Sequence, residues 1–522
     1  MTWAALYLPA LGTRELQGEE ARRVLPGRTM LQTGEFMVPR SGGQIYNRKP
    51  PLVNWVSAAA ISVTGRMDEW TVRLPSVLMM LALALTSYYA LRAWLGKDIS
   101  FLTALILLTN IGFIEKGRLI EIEALYYTLY GIALVLWLGL RYNDRPTAAW
   151  LLCGIFSGLA FLAKGPPHLL YLYLILIAVL KAERKLKELL RWPHLASVGL
   201  FFLMWLPWAL LNMGRNPQKD SANEWSDQIT HRLGFIEFDL LNYALQVPQS
   251  FVNFLPWALF IPLWFLVPKA ESGRPTIIRA IKYGTLIGFF IIAVLPSSRP
   301  RFMLPCNVSA AILTAHALYA IAPDWIARIS TPWRWVCWLL AFAATCVLAN
   351  GLIHPEPDFH YPMVALATAL SLGVVLYLLK VRNVNPTSPR RLALYLVLSF
   401  MTLSSAFATV VVPRVVRHDD LRPFAAYIHS LTGPGETIVL YRVGENMWPF
   451  YLGMGCIEIT DLKLRPRPTR WMILPQAQWN DERVRGAIVD RLRTPLAQHA
   501  LIDPIRETPL VLLEFSLEPN VK

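Results

Sequence analysis

Stretches of about 17 to 25 residues with almost no charge recur along this chain, the length a helix needs to cross a bilayer. SVLMMLALALTSYYALRAWL (76–95), LYYTLYGIALVLWLGL (125–140) and LASVGLFFLMWLPWALLNM (195–213) are examples. Inside a bilayer no water satisfies the backbone, so each run must close its own hydrogen bonds, which a helix does. Of 522 residues, 55% are hydrophobic and only 16% charged, where a soluble domain carries roughly 25% charged residues. An α-helical polytopic membrane protein is predicted.

Spans are expected at about 70–95, 99–114, 123–140, 148–163, 166–181, 195–213, 248–268, 278–296, 302–322, 333–352, 362–380 and 391–412. MTWAALYLPALG lacks the basic start and cleavage site of a signal peptide and reads as a short first span, giving about thirteen. PPLVNWVSAAAISVTG (50–65) is short and amphipathic, suited to the membrane interface. Cys153, Cys306, Cys337, Cys346 and Cys456 contain no CxxC pair, so packing is their expected role.

The formal net charge of +15 does not require a nucleic-acid partner, because basic loops of membrane proteins face the cytoplasm and its anionic lipids. Alternate loops carry the Lys and Arg: Arg92 and Lys97, Arg141 and Arg145, KAERKLKELLR (181–191), Lys269 to Lys282, Arg328 and Arg334, Lys380 to Arg391. With these inside, the loops 14–69 and 214–247 face outward. So does the polar tail, 413–522, which follows a membrane domain of residues 1–412. TIVLYR (437–442), RWMILP (470–475) and LVLLEFS (510–516) read as strands, and 481–500 as a helix, giving a small α/β domain. It has no phosphate loop and no nucleophile elbow.

Charge near a membrane is costly unless solvated, paired or used. The outer side gathers Glu19, Glu20, Arg22 and Arg23; Arg48 and Lys49; EKGRLIEIEAL (115–125) with Arg118, Glu121 and Glu123; Lys164; and SSRPRFMLP (297–305) with Arg299 and Arg301. Each has a plain structural reading. Glu20 and Arg23 are spaced as an i,i+3 pair, and Lys164 and Arg301 could snorkel. Glu123, with an acid two residues before it, opens a hydrophobic run and is harder to explain by packing. Together they suit transfer of a group from a lipid phosphate. The leaving phosphate needs cations for the charge it gains, and the acceptor needs a carboxylate to orient it or take its proton. No metal-ligand cluster is evident, and no cofactor is expected.

GEEARR, MLQTGEFMVPR, GGQIYNRKPPLVNW and RLPS, followed by GRLIEIEALYYT, GLAFLAKGPPHLL and SSRPRFMLP, resemble the bacterial aminoarabinose transferases and protein mannosyltransferase-like glycosyltransferases of the GT-C fold. The resemblance covers roughly residues 15 to 305. It implies a polyprenyl-phosphate-sugar donor, a lipid or glycan acceptor such as lipid A, and inversion at the outer face of the cell inner membrane. It puts the family's catalytic acids at Glu19 and Glu123. Arg22, Lys49, Lys164, Arg299 and Arg301 fall on the lipid phosphate, with Glu20 and Arg118 supporting. Both acids are usually Asp in that family, Arg48 stands where an acid is common, and Phe302 where Tyr is common. Protein O-glycosylation is the alternative acceptor reading. A lipid-binding or lipid-moving protein would need the cations but not the acids, and a secondary transporter would be expected to show an internal repeat, which is not seen.

Overall fold

A computed structural model describes residues 1–46, 49–215, 240–267, 273–295, 298–321, 323–356, 360–381, 388–414, 421–433, 435–444, 447–466 and 468–516. Arg48, Lys269, Arg382 and most of the loop 214–247 lie outside these residues. The chain is a multi-span membrane protein. Among the described residues eight helices are long and apolar enough to cross a bilayer, nine if the bent pair Lys97–Thr109 and Ile111–Gly117 is one span.

Four of the thirteen expected spans fall outside this number, through short length or a break in the helix. Thr2–Tyr7 has six residues, about 9 Å of helix. Pro167–Ala182 and Cys306–Ala320 are apolar but short. The span expected at 248–268 is not one helix: Leu240–Val252 ends before a 3₁₀ run, Trp257–Phe265. Pro248, Pro256 and Pro262 interrupt this stretch, each removing a backbone donor. Leu52–Thr64 forms the expected short helix and stops at Gly65, whose φ of 66° only glycine adopts easily.

Ile122–Arg141 is the central helix. Of its most apolar stretch 94% is buried inside the protein, against 22% for Trp192–Asn212 and Tyr361–Lys380, which leave most of their apolar surface for lipid. It packs between Glu69–Leu95 and Pro146–Lys164. Close approach depends on Gly139, where a Cβ would come within 2.3 Å of the Ala90 carbonyl oxygen; small residues serve such helix contacts in membranes.

After residue 420 the chain folds as three layers. β3 (Ile438–Tyr441), β4 (Cys456–Ile459), β5 (Trp471–Pro475), β6 (Ala497–Ile502) and β7 (Pro509–Glu514) form one sheet in the order β4-β3-β5-β7-β6. β3 runs parallel to β4 and β5, and β7 antiparallel to β5 and β6. Alternation along β3 sends Ile438 and Leu440 into the core shared with Ile428 of helix Arg422–Thr432. Val439 and Tyr441 enter the core shared with Ile488 of helix Glu482–Leu492. The helix expected over 481–500 ends at Leu492, and 497–502 is β6, paired along its length with β7. Pro495 and the β7 edge decide this against local helical pattern.

This sheet domain is bound tightly to the N-terminal loop. Arg28, fully buried on helix Ala21–Thr33, donates to Glu458 of β4 at 2.7 Å and to the Pro449 carbonyl at 2.7 Å. The same carboxylate accepts from the Gly42 amide in the turn joining β1 (Arg40–Ser41) and β2 (Gln44–Ile45). At Gly43, φ 75°, a Cβ would lie 2.8–2.9 Å from the backbone of Ile459 and Thr460. Gln32 donates to the Met454 and Cys456 carbonyls, and Arg422 pairs with Glu69 at 2.8 Å.

Candidate functional site

The site begins with one buried ion pair that fixes the loop carrying it. Glu20, the residue before helix Ala21–Thr33, has no solvent exposure. Its carboxylate accepts from Arg73 Nε and Nη2 at 2.9 and 2.7 Å, from the Gln17 amide at 2.8 Å and from the Ile120 amide at 3.0 Å. Arg73 also donates to the carbonyls of Leu11, Arg14 and Glu15. Helix Glu69–Leu95, the N-terminal loop and the entry to helix Ile122–Arg141 therefore meet at Glu20. The pairing of Glu20 with Arg23 expected from their spacing is not the arrangement found. Arg23 instead pairs with Glu19, one helical turn earlier, and donates its other nitrogen to the Tyr46 hydroxyl.

Glu19 and Glu123 converge on one arginine. Arg301 Nη2 lies 3.7 Å from Glu19 Oε1, and Arg301 Nε lies 3.6 Å from Glu123 Oε1. Glu123 also accepts from Lys164 Nζ at 3.2 Å. Glu123 stands in the first turn of its helix, where the dipole favours an anion, and Lys164 in the last turn of Pro146–Lys164, where it favours a cation. The Lys164 ammonium sits 5.0 Å from the ring centres of both Tyr126 and Phe302, a cation–π setting. Phe302 thus has a use that needs no hydroxyl.

The two acids differ in access. The Glu19 and Arg301 side chains are 32% and 27% exposed, whereas Glu123 and Lys164 are 3% and 6% exposed. Glu123 with Lys164 forms the floor, and Glu19 with Arg301 the open side. Two carboxylates against Arg23, Lys164 and Arg301 leave one unit of positive charge, so the cluster can take an anion. Burial alone would raise the Glu19 carboxyl, but Arg23 and Arg301 outweigh it and hold Glu19 below the usual carboxylate range.

The other residues singled out in the sequence differ in exposure. Arg22 and Arg299 are exposed. Lys49 is half-buried on the segment leading from β2 to Leu52–Thr64. Arg118 donates to the Leu6 and Pro9 carbonyls and lies against the Phe407 ring. Arg23 and Tyr46 were not assigned to the site. The offset of four between Glu19 and Arg23 was the available signal for the first, and nothing local marked the second.

Arg118 faces a second space, a cavity of about 800 Å³ with an apolar wall that includes Leu255, Leu340, Phe400 and Phe407. Glu121 and Lys116 stand at its polar end, 3.1 Å apart. Burial raises the Glu121 carboxyl above the usual range despite Lys116 beside it. Acids two residues apart, Glu121 and Glu123, thus serve two spaces.

Comparisons with known proteins agree with the motifs. Residues 48–210 match the family model described as dolichyl-phosphate-mannose-protein mannosyltransferase. The undecaprenyl phosphate-alpha-4-amino-4-deoxy-L-arabinose arabinosyl transferase of Yersinia enterocolitica is 27% identical over 322 residues, and a Pseudomonas fluorescens relative of the same description is 26% identical over 319. Each match takes in 60% of this chain, and the chain spans only 57% of the length of either relative. Among solved structures, ArnT of Cupriavidus metallidurans bound to undecaprenyl phosphate superposes with a TM-score of 0.71 at 19% identity, over 99% of this chain and 98% of that one. Its apo form gives 0.66. The fold is therefore that of ArnT, and the resemblance read from the motifs is borne out.

Proposed function

We propose that this chain is a membrane glycosyltransferase that moves a sugar from a polyprenyl-phosphate carrier to a lipid or glycan acceptor, such as lipid A, with inversion. The observation that carries this reading is Arg301 held between Glu19 and Glu123 in a cluster with one surplus positive charge. The anomeric C–O bond to phosphate breaks and the phosphate keeps the electron pair. A bond forms from the acceptor hydroxyl oxygen to the anomeric carbon, on the opposite face. The hydroxyl proton passes to Glu19. Lys164 and Arg301, with Lys49 and Arg22, stabilise the charge that grows on the phosphate. A donor phosphate that draws Arg301 toward itself also weakens that arginine's hold on Glu19, making the carboxylate more basic when it is needed. Glu123 keeps Lys164 and Arg301 in place.

The description of the matched family model names a protein acceptor, whereas those of the arabinosyl transferases name only a polyprenyl-phosphate donor. The apolar cavity of about 800 Å³ beside the cluster suits a lipid chain, that of the donor or that of a lipid acceptor. Affinity for undecaprenyl phosphate tests the donor site. Lys49→Ala and Arg301→Ala should each weaken it by at least about tenfold, the loss of one charge-assisted contact. If both bind it like the unaltered protein, the phosphate site lies elsewhere.

The reading includes a location: the inner membrane, with residues 14–69 and the sheet domain outside the cytoplasm. The basic segment 181–191 supports this through the positive-inside rule. Single cysteines at Gln44 and Asn480, with the native ones replaced, should react with an impermeant thiol reagent on intact spheroplasts, and one at Lys185 should not. The opposite pattern would invert the topology.

A further inference from the structure

We propose that the sheet domain carries a binding cleft of its own, for a phosphorylated sugar. The cleft, about 550 Å³, opens at the carboxyl ends of β3 and β5. Its walls include Arg442 and Gly444 after β3, Gln476 and Asn480 after β5, and Asp503 and Arg506 in the turn from β6 to β7. Its place follows from topology. β3 and β5 are adjacent and parallel, but the chain leaves β3 toward β4 on one side and leaves β5 toward β7 and β6 on the other. Diverging connections open a crevice beyond the strand ends, where open α/β sheets bind ligands.

The residues filling this crevice suit an anionic sugar. Arg442 adopts a φ of 54°, a left-handed conformation that glycine would take more easily. Its amide donates to the Ile459 carbonyl and its Nε to the Thr460 carbonyl, so the arginine is fixed at the sheet edge. Gly444, φ 80°, leaves room for Arg506, whose Nη1 would be 3.3 Å from a Cβ placed there. Guanidinium groups give planar, paired donors that match phosphate oxygens. Gln476 donates to Asn480 at 2.9 Å, and these two amides offer donors and acceptors to sugar hydroxyls. The Asp503 carboxylate accepts from Trp448 Nε1 and from the amides of Ile505 and Arg506, which holds the turn in shape. The volume suits a small polar ligand.

The cleft is also near the membrane domain. The end of β4, Ile459 and Thr460, touches Gly43 of the N-terminal loop, and β4 is two strands from β5. Strands are spaced at about 4.8 Å, so the cleft lies on the order of 10 Å from that contact. A phosphorylated glycan head group could be held here while its hydroxyl is presented to the cluster. That role in choosing the acceptor rests on the glycosyl-transfer reading; the binding itself does not.

The test uses the full chain in detergent, with glucosamine 1-phosphate, glucosamine and inorganic phosphate as separate probes. Glucosamine 1-phosphate should bind at least about tenfold more tightly than glucosamine, as one charge-assisted contact requires, and more tightly than inorganic phosphate. Arg442→Gly, which suits the backbone, combined with Arg506→Ala should lose that preference and still bind undecaprenyl phosphate. Equal affinity for glucosamine and its phosphate in the unaltered protein would overturn the inference without any variant. So would unchanged binding of glucosamine 1-phosphate by the double variant. Inorganic phosphate binding as well as the phosphosugar would overturn the assignment to a sugar. None of these results depends on transfer activity, so failure here leaves the donor reading standing, and failed undecaprenyl phosphate binding leaves this one standing.

Discussion

Glu19→Gln is expected to bind undecaprenyl phosphate at least as well as the unaltered protein while turning over at least about a hundredfold more slowly, the usual worth of a positioned base. The substitution keeps size and removes charge. Arg301 and Arg23 then lose an anion, which frees positive charge for the phosphate. Because Glu19 is held below the usual carboxylate range in the free protein, the acid limb of kcat/KM should fall below the ordinary glutamate value of about 4.3. Glu19→Asp asks whether the cluster is built around the longer acid. Retraction by about 1.5 Å should lengthen the reach to Arg301, already 3.7 Å away, and misplacement on that scale can cost about a hundredfold in rate. Full turnover by Glu19→Gln would remove this residue from the chemistry.

Glu20→Ala should instead fail as a fold. Its carboxylate answers Arg73, whose side chain is 4% exposed, and two backbone amides. Removing one partner of such a pair leaves a buried charge and costs about 3–5 kcal/mol, a large part of the usual stability of a folded domain. A sharp drop in melting temperature, or no folded protein in detergent, is the expected outcome. Glu20→Gln keeps an acceptor oxygen and should lose less. A variant without this carboxylate that melts like the unaltered protein would show that Arg73 is held well enough by the Leu11, Arg14 and Glu15 carbonyls alone. Adjacent acids in GEEARR thus divide between chemistry and architecture.

That division was legible in part. The apolar runs marked nearly every membrane helix to within a few residues, because the bilayer imposes a length and a composition that neighbours cannot override. The bend at Asn110 and the proline-interrupted stretch 248–265 were not legible as breaks, since hydropathy is blind to where a helix stops. In the site, Glu19, Glu123, Lys164 and Arg301 were named from motif and side of the membrane, and they meet. Partner choice was the weak point. Local spacing matched Glu20 with Arg23, but Arg73, 53 positions away, outbids it through tertiary folding. Arg22 and Arg23 show the same limit: neighbouring arginines look alike in sequence, and helix rotation buries Arg23 and leaves Arg22 exposed. In the tail, β4 and β6 were missed because their pattern is short and one is partly exposed. Their pairing with β3 and β7 is what makes them strands.

The Glu458 carboxylate, shared by Arg28 and Gly42, has a consequence for how this chain can change. Although the sheet domain has cores of its own, it is not an interchangeable module. A chimera that took the sheet domain from a relative would keep Arg28 buried while losing its anion, unless the incoming β4 supplied an acid at the same register. Gly43 would tolerate only a partner whose backbone leaves the same gap. Residues 28–43 and 449–460 must therefore be inherited together, so recombination between relatives should succeed only when both segments come from one parent.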